Sequence, residues 1–221
     1  VMEITLTGKS CGLEERAPMC GVPYHAVDTY INKLVSRGYK VCIVEQTEDP
    51  AQAKGLVKRE VVRIVTPGTN LNTNAMDEGK NNYLMSIAYI GGKFGISIAD
   101  VTTGDYYVTE VYSERNVVDE INKFLPSEII CNHAFLMCGM DIDDIKNRLS
   151  ISVFELEEWY FDEDNCEKVL KDHFGIIDLS GLGISEMSLG VIASGSLLKY
   201  LYETQKNSLS HLSKLIPYST S

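Results

Sequence analysis

The 221-residue sequence contains no run of 18 or more apolar residues, so no membrane-spanning helix is expected. Its first ten residues, VMEITLTGKS, have no basic stretch followed by an apolar one, so they do not form a signal peptide. Basic residues are few, because 20 Lys and Arg stand against 31 Asp and Glu and the net charge is −11. Averaged over the chain, this charge argues against a nucleic-acid partner, since duplex binding relies on Lys and Arg that neutralise phosphates.

The sequence also lacks the short motifs of several site classes. Its six cysteines include no Cys-x-x-Cys pair, the spacing typical of a zinc site. It has no Gly-x-x-x-x-Gly-Lys-Ser/Thr motif, which excludes a P-loop of its own, and its four histidines have no Ser, Asp or Cys partners at diagnostic spacing. No catalytic residue, cofactor site or metal site is therefore predicted, and the histidines are interpreted as structural or exposed.

Cysteine usage indicates a reducing compartment. A chain of this length without a secretory signal is expected to keep its cysteines reduced and structural. Cys42 lies inside the apolar run YKVCIVEQ, where a free thiol behaves as a small apolar residue. The predicted location is the cytoplasm.

The first part of the chain predicts an α/β unit. Residues 25–38 place apolar side chains at helical spacing, and Gly38 is a plausible end of that helix. Asp49-Pro50 predicts the start of a short helix that ends at Gly55. Strands are predicted over residues 3–8, 39–46 and 59–68. The strand–helix–strand order favours a partly parallel sheet.

The second part predicts a mixed sheet covered by helices. Residues 70–82 are rich in Asn and poor in apolar residues, and we interpret residues 73–82 as a linker. Three alternating runs follow, joined by Gly91-Gly92 and by the turn 102–105, and they predict an antiparallel meander. Beyond it, helices and strands alternate, and residues 184–206 predict a long helix.

Two acidic clusters are explained by helix starts. Neither has the ligand spacing, Gly and Glu of an EF-hand calcium loop. Acidic side chains at a helix N-terminus interact favourably with the helix dipole. The clusters are Asp141, Asp143 and Asp144, and Asp162, Glu163 and Asp164.

Asp100 lies in the second strand of the predicted meander. Enzymes of the ribonuclease H type cluster several carboxylates in such a sheet around two metal ions. Asp100 has no second strand carboxylate at a convincing position, and it precedes a turn whose backbone it can hydrogen-bond. A metal nuclease stays the alternative to a scaffold role.

Residues 8–25, GKSCGLEERAPMCGVPYH, form a connection that is long for a strand and a helix. Lys9 could contact a phosphate, Ser10 could donate a hydrogen bond, and Met19 could act as an apolar wedge at a minor groove. The alternative is a compact loop that packs under the following helix. The apolar residues that would do so are Pro18, Met19, Val22 and Pro23.

These residues also carry a family resemblance. The runs EITLTGKSCGLEERAPMCGVPYHAVDTYINKLVSRGYKV (3–41) and YKVCIVEQTEDPAQAKGLVKREVVRIVTPGT (39–69) resemble the MutS family of bacterial DNA mismatch-recognition ATPases. Weaker similarity continues through ISIADVTTGDY (96–106) and SGSLLKYLYETQKNSLSHL (194–212). The resemblance therefore covers nearly the whole chain.

The resemblance implies a domain layout within an α/β fold class. Residues 1–72 would be a mixed-sheet mismatch-recognition domain truncated at its N-terminus, and residues 73–82 a linker. Residues 83–190 would be a connector domain with a ribonuclease-H-like fold and no nuclease activity. Residues 191–221 would form a helix leading toward the lever and core region. The chain is expected to be a piece of a longer protein.

The resemblance also implies a function. Family members bind mispaired or looped duplex DNA from the minor groove, kink it and signal to downstream repair factors using ATP. Their Phe-x-Glu readout motif would lie upstream of Val1, and the nearest Phe here is Phe94. The ATPase domain, with its ATP and Mg, would also lie outside the chain, so we expect no enzymatic activity and no cofactor in these residues.

The implied partners are mismatched double-stranded DNA and a MutL-type repair factor that binds the connector. The longer protein would be a homodimer and these residues alone a monomer, with no membrane contact. A different class of function, a protein-interaction module that binds the MutL-type factor through an acidic surface, stays open.

The charge divides unevenly at residue 72. Residues 1–72 hold nine Lys and Arg against eight Asp and Glu, whereas residues 73–221 hold 11 against 23. The first part is near neutral, so its composition does not exclude DNA. Its basic residues that could face a phosphate backbone are Lys9, Lys54, Lys58, Arg59 and Arg63.

Overall fold

The computed structural model describes residues 2–12, 14–71 and 80–220. Most of the predicted linker, residues 73–79, lies outside the described residues. The first part has one helix and two small sheets. Its elements are β1 (Thr7–Lys9), β2 (Ala17–Met19), α1 (Val27–Val35), β3 (Val41–Gln46) and β4 (Arg59–Val65).

Helix α1 forms as predicted. Its apolar side buries Ile31 and Val35 against β3 and β4, and Gly38 takes a positive φ of 82° just after the helix. A left-handed residue after a helix is the usual role of glycine there. The helix prediction over residues 25–38 is confirmed within the usual uncertainty of helix ends.

Two predictions for this part are wrong. The predicted strand 3–8 is limited to β1, which begins at Thr7. Residues 50–55 do not form the predicted helix. The Asp49 carboxylate accepts the Ala51 N–H at 2.9 Å and the Asp49 carbonyl accepts the Gln52 N–H at 3.0 Å, which closes a turn instead.

The partly parallel sheet expected for this part is also wrong. β3 and β4 pair antiparallel from Val41↔Val65 to Gln46↔Arg59, and β1 and β2 pair antiparallel as a hairpin. A parallel pair needs a long crossover, usually a helix. Residues 47–58 form turns without a helix, so the chain reverses directly.

The second part is a six-stranded mixed sheet with helices on both faces. Its strands are β5 (Leu84–Ile90), β6 (Lys93–Ala99), β7 (Tyr106–Val111), β8 (Glu128–Cys131), β9 (Ser152–Glu155) and β10 (Ile216–Pro217). Its helices are α2 (Glu114–Phe124), α3 (His133–Leu136), α4 (Ile142–Arg148), α5 (Glu163–Phe174) and α6 (Ser188–Gln205).

The sheet order is β10-β7-β6-β5-β8-β9. β5, β6 and β7 pair antiparallel, which confirms the predicted meander, while β8 and β9 continue in parallel from β5. β10 adds in parallel to β7. The mixed α/β fold class is confirmed, with the meander joined to α/β units as expected for the connector.

Alternation along the strands divides the core in two. In β5, Leu84 packs with α5 and α6, whereas Met85 and Ile87 pack on the other face with residues of α2, α3 and α4. α6 lies so close to the sheet that a Cβ on Gly95 would be 2.0 Å from the Leu189 carbonyl oxygen.

The domain boundaries expected from the sequence, 1–72, 73–82, 83–190 and 191–221, stay a prediction.

The predicted helix caps are present. Ser113 Oγ accepts the Asn116 N–H at 3.2 Å and starts α2. Asp141 and Asp162 cap α4 and α5 by accepting the Asp144 and Asn165 N–H groups, each at 2.9 Å. The acidic clusters therefore serve as helix starts, as predicted.

The six cysteines are all free thiols, but their environments differ. Cys131 and Cys166 are buried in the six-stranded part, as expected for structural residues. Cys42 is exposed although it lies in the apolar run YKVCIVEQ. It alternates with Val41 and Ile43, which pack toward α1, and therefore points to the open side of β3.

Candidate nucleic-acid interface

Residues 7–19 form a β-hairpin. Thr7 pairs with Met19, Gly8 with Pro18 and Lys9 with Ala17, and Thr7 Oγ1 donates to the Met19 carbonyl oxygen at 2.7 Å. The predicted long connection thus contains two short strands, and residues 10–12 and 14–16 between them are exposed.

The pairing register brings two of the three predicted site residues onto one face. Directly paired residues share a face, and so do residues two apart on one strand. Lys9 and Met19 therefore lie on the same face of the hairpin. Both are exposed, and Met19 keeps 45% of its surface accessible. Ser10 is exposed in the loop just after β1.

The compact-loop alternative is wrong for most of its residues. Val22 is half-buried, but Pro18, Met19 and Pro23 are exposed. The strand pairing fixes the backbone, so these side chains need no contact with α1 to hold the segment. An exposed methionine on a surface hairpin leaves an apolar group available to a partner.

The basic residues of the first part are not equally available. Lys54 and Arg59 are exposed, and Lys58 is exposed with an ion pair to Glu60 at 2.6 Å. Arg63 is different, because its Nη2 donates to the Thr69 carbonyl oxygen at 2.9 Å and burial lowers its pKa against the opposing effect of Asp28. Arg63 is half-buried and holds the backbone at Thr69, so it is less accessible to a phosphate than the exposed lysines.

Arg16 is a candidate that sequence reasoning missed. It is exposed beside the hairpin, and a Cβ placed on Gly8 would lie 3.1 Å from Arg16 Cβ. Its position follows from the pairing of β1 and β2, which the sequence alone did not reveal. Arg16 comes just before β2 and lies on the face of Gly8 and Pro18, opposite to the face of Lys9 and Met19.

Asp100 has the scaffold role predicted for it. Its Oδ1 accepts the N–H groups of Thr102 at 2.7 Å and Thr103 at 3.3 Å, and its Oδ2 accepts the Asn82 N–H at 3.1 Å. Backbone donors therefore occupy both carboxylate oxygens of this buried residue. Among the described residues, no three His, Cys, Asp or Glu side chains are grouped so that they could hold a metal ion.

Two of the histidines, His133 and His173, and the Phe-x-Glu pattern also have structural explanations. His173 is held by Tyr202 Oη at 2.5 Å and the Leu212 carbonyl oxygen at 2.7 Å, and His133 lies 2.9 Å from Glu155. Phe161 and Glu163 match the spacing Phe-x-Glu, but Phe161 is only 5% exposed. A buried ring cannot stack on a base.

No helix in the ranges 2–12, 14–71 and 80–220 is both long and apolar enough to cross a membrane. This finding agrees with the absence of long apolar runs in the sequence.

Comparison with known proteins identifies both parts of the chain. Residues 1–74 match the family model "MutS domain I", and residues 82–213 match "MutS domain II". The DNA mismatch repair protein MutS of Lachnoclostridium phytofermentans is 60% identical over 220 residues, covering 100% of this chain and 24% of the relative. The MutS proteins of Ruminiclostridium cellulolyticum and Alkaliphilus metalliredigens are 50% and 45% identical, each covering 99% of this chain and 25% of the relative.

The chain spans about a quarter of the length of these relatives. The family match covers both the hairpin and the six-stranded sheet, and it confirms the resemblance seen in residues 3–69. The chain belongs to the MutS family of DNA mismatch-repair proteins and corresponds to its domains I and II.

Proposed function

We propose that this chain forms the DNA-facing and connecting part of a mismatch-repair protein that binds mispaired or looped duplex DNA. The observation that carries the proposal is the shared exposed face of Lys9 and Met19 on the β1–β2 hairpin. A cation can position a phosphate, while a neighbouring apolar side chain contacts an opened minor groove.

A mismatch is recognised in this proposal through the cost of deforming the DNA. A mispaired step unstacks and kinks more easily than a paired one, so a protein that needs a kink binds it more tightly. Lys9 and Ser10 hold the backbone beside the kink, and Met19 packs against the opened step. Arg16 supplies a second cation on the hairpin.

ATP hydrolysis belongs to the remaining part of the full-length protein. The 221 residues carry no P-loop, so ATP and Mg act elsewhere and these residues have no enzymatic role and hold no cofactor. The full-length protein works as a homodimer in the cytoplasm, and the chain alone is a monomer.

The test compares the 221-residue chain with a chimera that adds the remaining residues of the Lachnoclostridium phytofermentans relative. Fluorescence polarisation against matched and mismatched duplexes at two salt concentrations gives Kd and its salt slope. We expect the short chain to bind weakly with no mismatch preference and the chimera to prefer the mismatch.

Within the chimera, Lys9→Ala should reduce the salt slope by about 0.9, the value of one lost phosphate contact. Met19→Ala should weaken binding to the mismatched duplex more than to the matched one. The matched controls are Lys93→Ala and Met137→Ala, which alter exposed residues of the six-stranded part. The assignment is wrong if neither hairpin variant differs from its control.

A second candidate function is docking of a MutL-type repair factor on the connector. It is favoured by the excess of acidic residues after residue 72, 23 against 11 basic ones, which suits a basic protein surface better than DNA. Titration of a labelled MutL-type protein onto the folded chain at two salt concentrations tests it. Salt-sensitive binding supports docking, and no binding by the folded chain contradicts it.

A further inference from the structure

The two parts of the chain are joined by a buried contact that the proposed function does not use. Residues Thr66–Asn70, here called the strap, follow β4 and leave the first part. Thr66, Thr69 and Asn70 are at most 3% exposed. Inside the strap, Thr69 Oγ1 accepts the Thr66 N–H at 3.0 Å, so the segment is a closed turn rather than an extended tether.

The strap is held by one carboxylate of the six-stranded part. Glu128, at the start of β8, is fully buried. Its Oε2 accepts the Gly68 N–H at 2.8 Å, and the nearby Thr66 side chain acts to lower the pKa of the same carboxyl group. The strap is therefore tied to a side chain 60 positions away from Gly68 in sequence.

The same carboxylate also binds helix α6. Tyr200 Oη donates to Glu128 Oε1 at 2.5 Å, and Tyr200 is only 3% exposed. One oxygen of Glu128 thus faces the strap and the other faces α6. A side chain held in this way contacts the strap of the first part, the sheet and the long helix at one point.

The fit around Gly68 leaves no room for a larger residue. A Cβ on Gly68 would lie 2.9 Å from Leu84 Cβ and 3.1 Å from both Glu128 Cβ and Glu128 Oε2. Real Cβ atoms do not approach other atoms so closely without displacement of one of them. The strap backbone therefore sits directly on the paired starts of β5 and β8.

Two further contacts hold the strap in one orientation. Asn82 Nδ2 donates to the Pro67 carbonyl oxygen at 3.1 Å and to the Asn70 carbonyl oxygen at 3.2 Å. Lys40, from the first part, places Nζ 4.0 Å from the Phe154 ring centroid and 5.1 Å from the Tyr200 ring centroid. Burial lowers the pKa of Lys40, and the neighbouring Glu128 opposes that shift.

We propose that Glu128 is the positioning residue that fixes the orientation of residues 2–71 against the six-stranded sheet, by holding the strap and Tyr200 with one carboxylate. This inference goes beyond the proposed function, since it rests on contacts within the chain and needs no DNA. In this inference, Glu128 determines the angle between the β1–β2 hairpin and the six-stranded sheet.

The test measures that orientation directly. Cys42 in β3 and Lys168→Cys in α5 carry spin labels, because both positions are exposed, and Cys11, Cys20 and Cys138 are replaced by serine. Pulsed electron paramagnetic resonance then gives the distribution of distances between the two parts. The unaltered junction should give a single narrow distance.

Glu128→Ala should abolish the narrow distance, and Glu128→Gln should restore it in part, because an amide oxygen can still accept the Gly68 N–H. The matched control is Glu120→Gln, a buried glutamate that accepts from Tyr218 Oη at 2.5 Å and does not touch the first part. It should leave the distance unchanged.

If Glu128→Ala fails to fold, Tyr200→Phe and Gly68→Ala decide the question. The first removes only the hydroxyl on α6 and the second displaces only the strap, and each should broaden the distribution. The proposal is overturned if the folded variants keep the single narrow distance, whatever their affinity for DNA.

Discussion

The two parts of this chain achieve their folds by different means. Residues 84–88 of the six-stranded part are all buried, between helices on both faces of the sheet. Within residues 2–12 and 14–71, the apolar core cluster consists of Ile31, Val35 and Val65 with three half-buried neighbours. This first part also leaves large apolar side chains exposed, namely Leu6 at 71%, Tyr24 at 94% and Leu56 at 94%.

The difference shows where each part gets its stability. A two-stranded sheet with one helix buries too little apolar surface to be stable by itself. The six-stranded part buries enough for an independent core, and the strap ties the first part to it. The hairpin is therefore presented by a weakly packed unit that is anchored through the strap and through Lys40.

Cysteine reactivity gives the largest expected contrast between the two parts. Burial raises the pKa of both Cys131 and Cys166 to about 12, whereas Cys11, Cys20 and Cys42 are exposed. The thiolate is the reactive form, so at pH 8 the two buried thiols should react more slowly by about 1,000-fold or more. Mass spectrometry of timed alkylation measures this, and equal labelling of all five would remove the contrast.

The next largest effect is expected from a matched pair of core truncations, one in each part of the chain. Ile87→Ala, at a fully buried position of β5, should lower the free energy of unfolding by about 2–5 kcal/mol. Ile31→Ala in the first part should cost less, because its smaller cluster can collapse around the gap.

Fluorescence of the single tryptophan distinguishes the effect of Ile87→Ala from that of Ile31→Ala. Trp159 lies in the six-stranded part, so its fluorescence during urea unfolding reports on that part. Ile87→Ala should shift the transition, while Ile31→Ala should mainly speed amide exchange in residues 27–65. Equal shifts of the Trp159 transition would show that the two parts unfold as one unit.

The pH dependence of stability tests the junction between the parts. Burial raises the pKa of Glu128 above its ordinary value of 4.5, against the opposing effects of its hydrogen bonds and Lys40. The folded state therefore favours protonated Glu128, and this stabilisation, complete below pH 4.5, is lost as pH rises through the raised pKa.

Glu128→Gln stays neutral at every pH, so its stability should rise relative to that of the unaltered chain as pH increases from 4.5 through that window. Urea midpoints of both proteins, followed by Trp159 fluorescence, measure the difference. A difference in urea midpoint that does not change with pH would contradict the raised pKa of Glu128.

Removal of a helix cap should give the smallest of these effects on stability. Ser113→Ala removes the acceptor for the Asn116 N–H and should destabilise the six-stranded part by about 1 kcal/mol. Ser36→Ala, which removes a hydrogen bond from the exposed Ser36 Oγ to the Lys33 carbonyl oxygen, should change stability by no more than about 0.5 kcal/mol. Urea unfolding of both variants makes the comparison, and an equal loss would mean that Ser113 does not act as a cap.

Local signals predicted local structure well. The caps at Ser113, Asp141 and Asp162 and the glycine-containing turns of the meander follow from hydrogen bonds between residues close in sequence. The same logic failed at Asp49, where the residue type fits both a helix cap and a turn. Nothing in residues 47–58 distinguishes the two outcomes.

Contacts between residues far apart in the sequence could not be predicted from local sequence patterns. The interaction of Gly68 with Glu128 spans 60 residues, and the burial of Arg63 depends on the turn that the strap makes. For the candidate interface, Lys9, Ser10 and Met19 could be chosen from composition and resemblance. That Lys9 and Met19 share a face, and that Arg16 lies on the opposite face beside Gly8, depends on the strand register.

The pairing of β10 with β7 has a consequence for solubility. β7 would otherwise be an open edge of the sheet, with unpaired backbone groups that could recruit a strand from another molecule. Ile216 and Pro217 occupy that edge, and the Tyr218 N–H donates to the Val108 carbonyl oxygen at 3.0 Å. Proline has no N–H to offer a further strand, so Ile216 and Pro217 protect this edge of the sheet from edge-to-edge aggregation.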